Sequence, residues 1–146
     1  MLNPADFGRR EVDKPERQDM DKAKKASVIV VDDDSMMREM LKLILRSESY
    51  SVIGEASNGH EAIALCERLH PNLLLLDINM PKMDGLQALA EIRKVSKDTI
   101  VIIVSADSTM DKVGEAIKNG AAGFVVKPLN TASVINSVET CLKQQK

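Results

Sequence analysis

Four apolar runs of this chain stop at polar groups that could do chemistry together. Val28-Ile29-Val30-Val31 runs into Asp32-Asp33-Asp34-Ser35, and Leu73-Leu74-Leu75-Leu76 runs into Asp77-Ile78-Asn79. Ile100 to Val104 runs into Ser105-Ala106-Asp107, and Ala122 to Val126 runs into Lys127-Pro128. Brought to one place, Asp32, Asp33 and Asp77 would raise one another's pKa unless a cation offset their charge. A hard divalent ion with a taste for oxygen is the natural offset, and Mg²⁺ is the common choice. Mg²⁺ takes one or two carboxylates and leaves room for phosphate oxygens. Lys127 supplies a point charge for one phosphate oxygen, and Ser105 supplies a hydroxyl for another. Phosphoryl transfer needs mostly positioning and charge neutralisation. An Asp carboxylate can itself be the nucleophile.

The elements that must position these groups can be read from the hydrophobic pattern. The run Val28 to Val31 reads as a strand buried on both faces. Met37, Met40, Leu41, Ile44 and Leu45 then recur at helical spacing. Tyr50 to Gly54 is a second strand, and the turn Ser57-Asn58-Gly59 opens a helix carrying Ala62, Ile63, Leu65, Cys66 and Leu69. Leu73 to Leu76 is a third strand, followed by a helix marked by Leu86, Leu89, Ala90 and Ile92. Ile100 to Val104 is a fourth strand, and the helix of Val113, Ala116 and Ile117 closes at the C-cap signal Asn119-Gly120. Ala122 to Val126 is the last strand, and Val134, Ile135, Val138 and Leu142 mark the last helix. Five strand–helix units of this kind predict an α/β domain with a parallel sheet covered on both faces. The carboxyl ends of such strands form the ligand crevice, so the acids, the hydroxyl and the ammonium are expected on one rim. The second strand, ending Ile53-Gly54-Glu55, contributes little to it.

Each of these residues also has a bland role. Asp33 or Asp34 could cap the helix that starts near Ser35, and Asp34 is the better candidate. A single Ser105 would be a loop hydroxyl and a single Lys127 a solvated ammonium. The weight lies on four strand ends carrying compatible groups, which chance would scatter.

Composition narrows the function classes. With 146 residues, the chain holds one domain with a real core. A net charge of -2 and an aromatic content of 2% argue against a nucleic-acid or anionic-membrane surface. Cys66 and Cys141 fit no metal-ligand spacing and fall in apolar helical patterns, as reduced core thiols of a cytoplasmic protein would. No apolar stretch approaches a membrane span, and no secretory signal core is visible. Residues 1–26 hold seven basic and six acidic residues and few large apolar ones, so they are expected to form a flexible charged tail ahead of a domain at 27–146.

The segment Val30-Val31-Asp32-Asp33-Asp34-Ser35 resembles the opening of bacterial response-regulator receiver domains. So does Leu76-Asp77-Ile78-Asn79-Met80-Pro81-Lys82-Met83-Asp84-Gly85, the most specific stretch, and Val104-Ser105-Ala106 and Gly123-Phe124-Val125-Val126-Lys127-Pro128 complete the set. The resemblance covers residues 27–143 or so, with the motifs in order. It implies a flavodoxin-like doubly wound (βα)5 three-layer sandwich with sheet order 2-1-3-4-5, and a cis peptide at Lys127-Pro128. It also implies roles. Asp77 matches the phosphoacceptor. Asp33, Asp77 and the Asn79 carbonyl match ligands of Mg²⁺, with Asp32 acting on the ion through water. Lys127 matches the lysine on a phosphoryl oxygen. Ser105 matches the switch hydroxyl, and Phe124 the aromatic switch position. Asn79 and Asp107, each two residues beyond a site residue, are expected to influence access of the hydrolytic water.

By that resemblance the phosphodonor is a histidine kinase, a phosphotransfer protein or a small phosphodonor. The output is a protein target that reads the face formed by the fourth helix, fifth strand and fifth helix, in a monomer or a phosphorylation-dependent dimer. The domain would catalyse only its own phosphorylation and dephosphorylation. A rival class, the Mg²⁺-dependent haloacid-dehalogenase-like phosphohydrolases, needs a second Asp two residues after the nucleophile as acid and base. Asn79 stands there instead. A stand-alone receiver is expected rather than a piece of a longer transcriptional or enzymatic regulator.

Overall fold

The alternation of apolar strands with amphipathic helices gives ten elements in the computed structural model, which describes residues 25–107 and 109–144. In chain order they are β1 (Lys25–Val31), α1 (Ser35–Ser47), β2 (Tyr50–Ala56), α2 (Gly59–Leu69), β3 (Leu73–Leu76), α3 (Gly85–Val95), β4 (Ile100–Ser105), α4 (Met110–Lys118), β5 (Gly123–Val126) and α5 (Thr131–Lys143). All neighbouring strands pair in parallel, in the order β2-β1-β3-β4-β5. This is the flavodoxin-like doubly wound sandwich that the resemblance implies.

Strand side chains alternate between two cores because successive residues of a strand point to opposite faces. Ile29, Val31, Leu74, Leu76, Val101 and Ile103 pack with Ala62, Cys66, Leu89 and Ile92 of α2 and α3. Val28, Val30, Leu73, Leu75, Ile102 and Val104 pack with Leu41 and Leu45 of α1 and Val134 and Val138 of α5. The four leucines of β3 are wholly buried, and each contributes roughly 1.5–3 kcal/mol relative to exposure. The central strands are therefore rigid platforms for the loops at their carboxyl ends.

Those loops are short, and the helices after them are capped. Asp34 accepts from the Met36 and Met37 amides and starts α1. Asn58 caps α2. Asp84 starts α3 with a reciprocal capping box to Gln87. Each such cap is worth about 1 kcal/mol and fixes where a loop ends. Gly120, with φ 103°, ends α4 in a backbone region glycine adopts freely.

Two boundaries differ from the sequence reading. β1 starts at Lys25, paired with Tyr50, so Lys25 and Ala26 belong to the sheet rather than to a tail. The Lys25 ammonium lies 5.0 Å above the Tyr50 ring, a contact that mixed charge alone does not announce. The remaining expected tail, residues 1–24, lies outside the described residues. β2 extends to Ala56, which places Glu55 within the sheet edge beside the rim.

Candidate functional site

β1, β3, β4 and β5 end side by side, and their next residues meet. Asp32 is buried, with Oδ1 accepting from the Asp34 amide at 2.9 Å and Oδ2 accepting from Lys127 Nζ at 2.9 Å. Asp77 is buried beside it, with Oδ1 accepting from the Asn79 amide at 3.2 Å and Oδ2 3.6 Å from Lys127 Nζ. Asp33 is exposed, and one carboxylate oxygen each of Asp32, Asp33 and Asp77 lies within 4.8 Å of the others. Asp34, busy as the cap of α1, stands apart from this group.

The electrostatics arise from that crowding. Burial pushes the Asp77 carboxyl up to about 6; the charge of Asp32 adds to this, and Lys127 opposes it. Burial pulls the Lys127 ammonium down, but its bond to Asp32 and the charge of Asp77 outweigh that and hold it above the usual lysine range. One ammonium thus faces two buried carboxylates, and the exposed carboxylate of Asp33 lies beside those two. The donor set is all oxygen and carries net negative charge, as a hard divalent cation requires. Asp32, Asp33 and Asp77 therefore fit Mg²⁺ by chemistry and by spacing.

The rest of the rim is also where the sequence put it. Ser105 is fully buried and its Oγ accepts from the Asp107 amide at 3.1 Å. Among the described residues the hydroxyl proton meets no acceptor. The Lys127 amide bonds the Ser105 carbonyl at 2.9 Å, and the Lys127-Pro128 peptide is cis. Asn79 is exposed on the loop after β3. Phe124 is half-buried against the core under α2 and α3.

Three residues with a part in this geometry escaped the sequence reading. Gly85 starts α3 with its amide on the Ile78 carbonyl at 2.7 Å, under the backbone of Asp77. Arg38 donates Nη1 to the Asp32 carbonyl at 2.7 Å and Nε to Glu55 at 2.9 Å. Glu55 also accepts from Lys42 at 2.7 Å, and the bonds from Lys42 and then Arg38 hold its carboxyl below the usual range. Glu55 is thus part of the rim's support, contrary to the expectation that β2 adds little. The nearest available signal was its charge at the carboxyl end of a strand.

Comparison with known proteins agrees with this geometry. The family model "Response regulator receiver domain" matches residues 28–139. The chemotaxis protein CheY of Thermotoga maritima is 40% identical over 116 residues, which cover 80% of this chain and 97% of that protein. The nitrate/nitrite response regulator NarL of Escherichia coli is 36% identical over 114 residues, covering 77% of this chain but 53% of that longer protein. Among solved structures, the receiver domain of a NarL from Mycobacterium tuberculosis is 36% identical with a TM-score of 0.77, covering 82% of this chain and 98% of that one. The CheX–CheY–BeF3–Mg complex of Borrelia burgdorferi contains a chain 34% identical with a TM-score of 0.78, covering 80% of this chain and 88% of that one. A match that runs from the first strand to the last helix, shared by sequence and by fold, makes the chain a member of the response regulator receiver domain family, the receiver of two-component signalling.

Proposed function

We propose that Asp77 accepts a phosphoryl group from a histidine kinase, a phosphotransfer protein or a small phosphodonor, and that the domain then switches a protein-binding face. The observation that carries this reading is the pairing of Asp77 with Lys127 inside the three-aspartate cluster, 3.6 Å from ammonium to carboxylate. Asp33, Asp77 and the Asn79 carbonyl would hold Mg²⁺, with Asp32 acting through water. Bound there, Mg²⁺ supplies charge neutralisation for an anionic nucleophile meeting an anionic phosphoryl group.

In this mechanism an Asp77 carboxylate oxygen attacks the phosphorus. The bond from phosphorus to the donor imidazole nitrogen breaks, and that nitrogen keeps the electron pair. Lys127, released from part of its work on Asp32, takes one phosphoryl oxygen. The hydroxyl proton of Ser105 donates to another, and Phe124 repacks. Chemistry of this kind confines catalysis to the domain's own phosphorylation and dephosphorylation. Asn79, standing where a hydrolase needs an acid, supports signalling over steady turnover.

The output reading is supported by apolar side chains exposed on the face of α4, β5 and α5. Met110 is 86% exposed, Ile117 59% and Val126 47%, a pattern that suits a protein partner. Among the described residues no helix is long and apolar enough to cross a membrane, and both cysteines are free and buried, which supports a cytoplasmic setting.

The test is labelling with a small phosphodonor and Mg²⁺, comparing the wild type with Asp77→Asn. The wild type should acquire an acid- and base-labile acyl phosphate and the variant should not. Persistent labelling of the variant would overturn the assignment.

A further inference from the structure

Asp33 is the exposed member of the aspartate cluster, and its place depends on the peptide that joins it to Asp32. The carbonyl of that peptide belongs to Asp32 and accepts from Arg38 Nη1 at 2.7 Å. The Asp32 amide on its other side bonds the Ala56 carbonyl at 3.1 Å, and the Asp34 amide bonds Asp32 Oδ1 at 2.9 Å. Of these bonds, the one from Arg38 alone acts on the plane of the peptide between Asp32 and Asp33. The guanidinium is itself held: its Nε donates to Glu55 at 2.9 Å, and Glu55 is gripped from the other side by Lys42 at 2.7 Å, which also meets Glu39 at 2.7 Å.

A cation one turn into α1 gains nothing from the helix dipole, so the helix does not explain Arg38. Its side chain is 18% exposed, although a surface arginine would normally leave its head in water. Only a planar fork serves a carbonyl and a carboxylate at once in fixed geometry. We propose that Arg38, braced by Glu55 and Lys42, is a positioning residue that fixes the Asp32–Asp33 peptide plane and so aims Asp33 at the divalent cation. This rests on the reading of Asp32, Asp33 and Asp77 as the cation site.

Charge and positioning predict opposite signs here. Arg38→Ala removes a positive charge near the cluster, which by Coulomb's law alone would tighten binding of a cation. Loss of positioning weakens it, as loss of groups behind metal ligands does, by about tenfold or more. The experiment is a Mg²⁺ titration of the full chain without phosphodonor, followed by the amide NMR signals of Asp33, Asp77 and Asn79. Arg38→Ala should raise the Kd about tenfold. Arg38→Lys, which keeps the charge but cannot serve both acceptors, should still raise it severalfold. Lys42→Met loosens the brace on Glu55 without touching Asp32, and should raise the Kd by less than Arg38→Ala does.

A folded Arg38→Ala protein that binds Mg²⁺ as well as or better than wild type overturns the proposal. If that variant does not fold, Arg38→Lys decides, and an unchanged Kd overturns it. A wild type whose Asp33 and Asp77 amides ignore Mg²⁺ overturns the cation site itself and the positioning role with it. Wild-type binding with unaltered binding in the Arg38 variants overturns the positioning role alone.

Discussion

Gly85 and Asp77 meet backbone to backbone: a Cβ on Gly85 would stand 2.2 Å from the Asp77 carbonyl oxygen and 2.7 Å from the Ile78 Cα. No side chain can swing away there, because the obstructing atoms are main chain. The start of α3 is therefore docked directly on the residue that carries the proposed nucleophile. The tight loop between them, with Lys82 at φ 73° and Asp84 capping the helix, returns the chain to that spot.

Gly85→Ala should accordingly be among the most damaging small substitutions in the protein. Either α3 or the loop after β3 must shift, with a loss of about 2–3 kcal/mol, the usual range for forced overpacking. Urea unfolding of the variant measures it. Since the shift falls on Asp77, acyl-phosphate formation should drop further than the fraction unfolded accounts for.

Asp77→Asn should do the reverse to stability. The Asp77 carboxyl lies at about 6 when folded, against an ordinary 3.8, chiefly because it is buried. The folded state thus disfavours the charged form, and at pH 7 without divalent cation this costs roughly 1–3 kcal/mol. The neutral amide escapes that cost. The dependence on pH has a definite sign: because the folded value is the higher one, the wild type regains stability as pH falls from about 6 toward 3.8, and its deficit against the variant closes. Denaturation curves in a chelator at pH 7 and pH 4.5 test this, and a variant less stable than wild type at pH 7 would refute it.

Much of the frame behind these effects was legible from residue order, for physical reasons that also mark the limits. Leu73 to Leu76 could be bounded as a strand because β3 is buried on both faces and admits only apolar side chains. The rim could be placed because strand carboxyl ends gather the site, and Asp34 was separable from Asp33 because a cap has a local hydrogen-bond pattern. Glu55 was not legible. Its partners Arg38 and Lys42 lie 17 and 13 residues away, and a charge at a sheet edge looks like any solvated residue until the helix packs beside it. Gly85 drew no structural reading for the same reason: its contact with Asp77 belongs to the tertiary structure.

Lys127→Met should expose how much of the apo site this one ammonium holds. Its Nζ lies 2.9 Å from Asp32 and 3.6 Å from Asp77, both buried. The substitution leaves two like charges facing each other with no counter-ion inside the fold. Without divalent cation at pH 7 the expected loss is about 2–4 kcal/mol, somewhat below the ~3–5 kcal/mol for a fully buried pair because the lysine side chain is 17% exposed. Adding Mg²⁺ should restore part of the lost stability by supplying the missing positive charge. Thermal melts with and without Mg²⁺ measure both effects, and a variant as stable as wild type in chelator would show that the lysine does not hold the acids.

Asp107→Ala separates the timing of the signal from the binding of the ion. The Asp107 amide donates to Ser105 Oγ at 3.1 Å, and this bond is main chain, so it survives the substitution. The carboxylate instead accepts from the Thr109 amide at 3.2 Å, at the head of α4, and takes no part in the aspartate cluster. The Mg²⁺ affinity should therefore stay within about twofold of wild type, since no cation ligand moves. A phosphoryl group on Asp77, reached by the Ser105 hydroxyl, would come under Asp107, where the carboxylate can accept a hydrogen bond from an approaching water. Without it the water loses an acceptor, and the acyl phosphate should persist longer, by roughly two- to tenfold, less than the ~10²-fold of a full general base because the carboxylate only orients the water. Phosphate release after removal of the phosphodonor gives the lifetime, and Mg²⁺ titration of the unphosphorylated protein gives the affinity. Equal changes in the two would place Asp107 in the support of the cation site, against its expected role in controlling water.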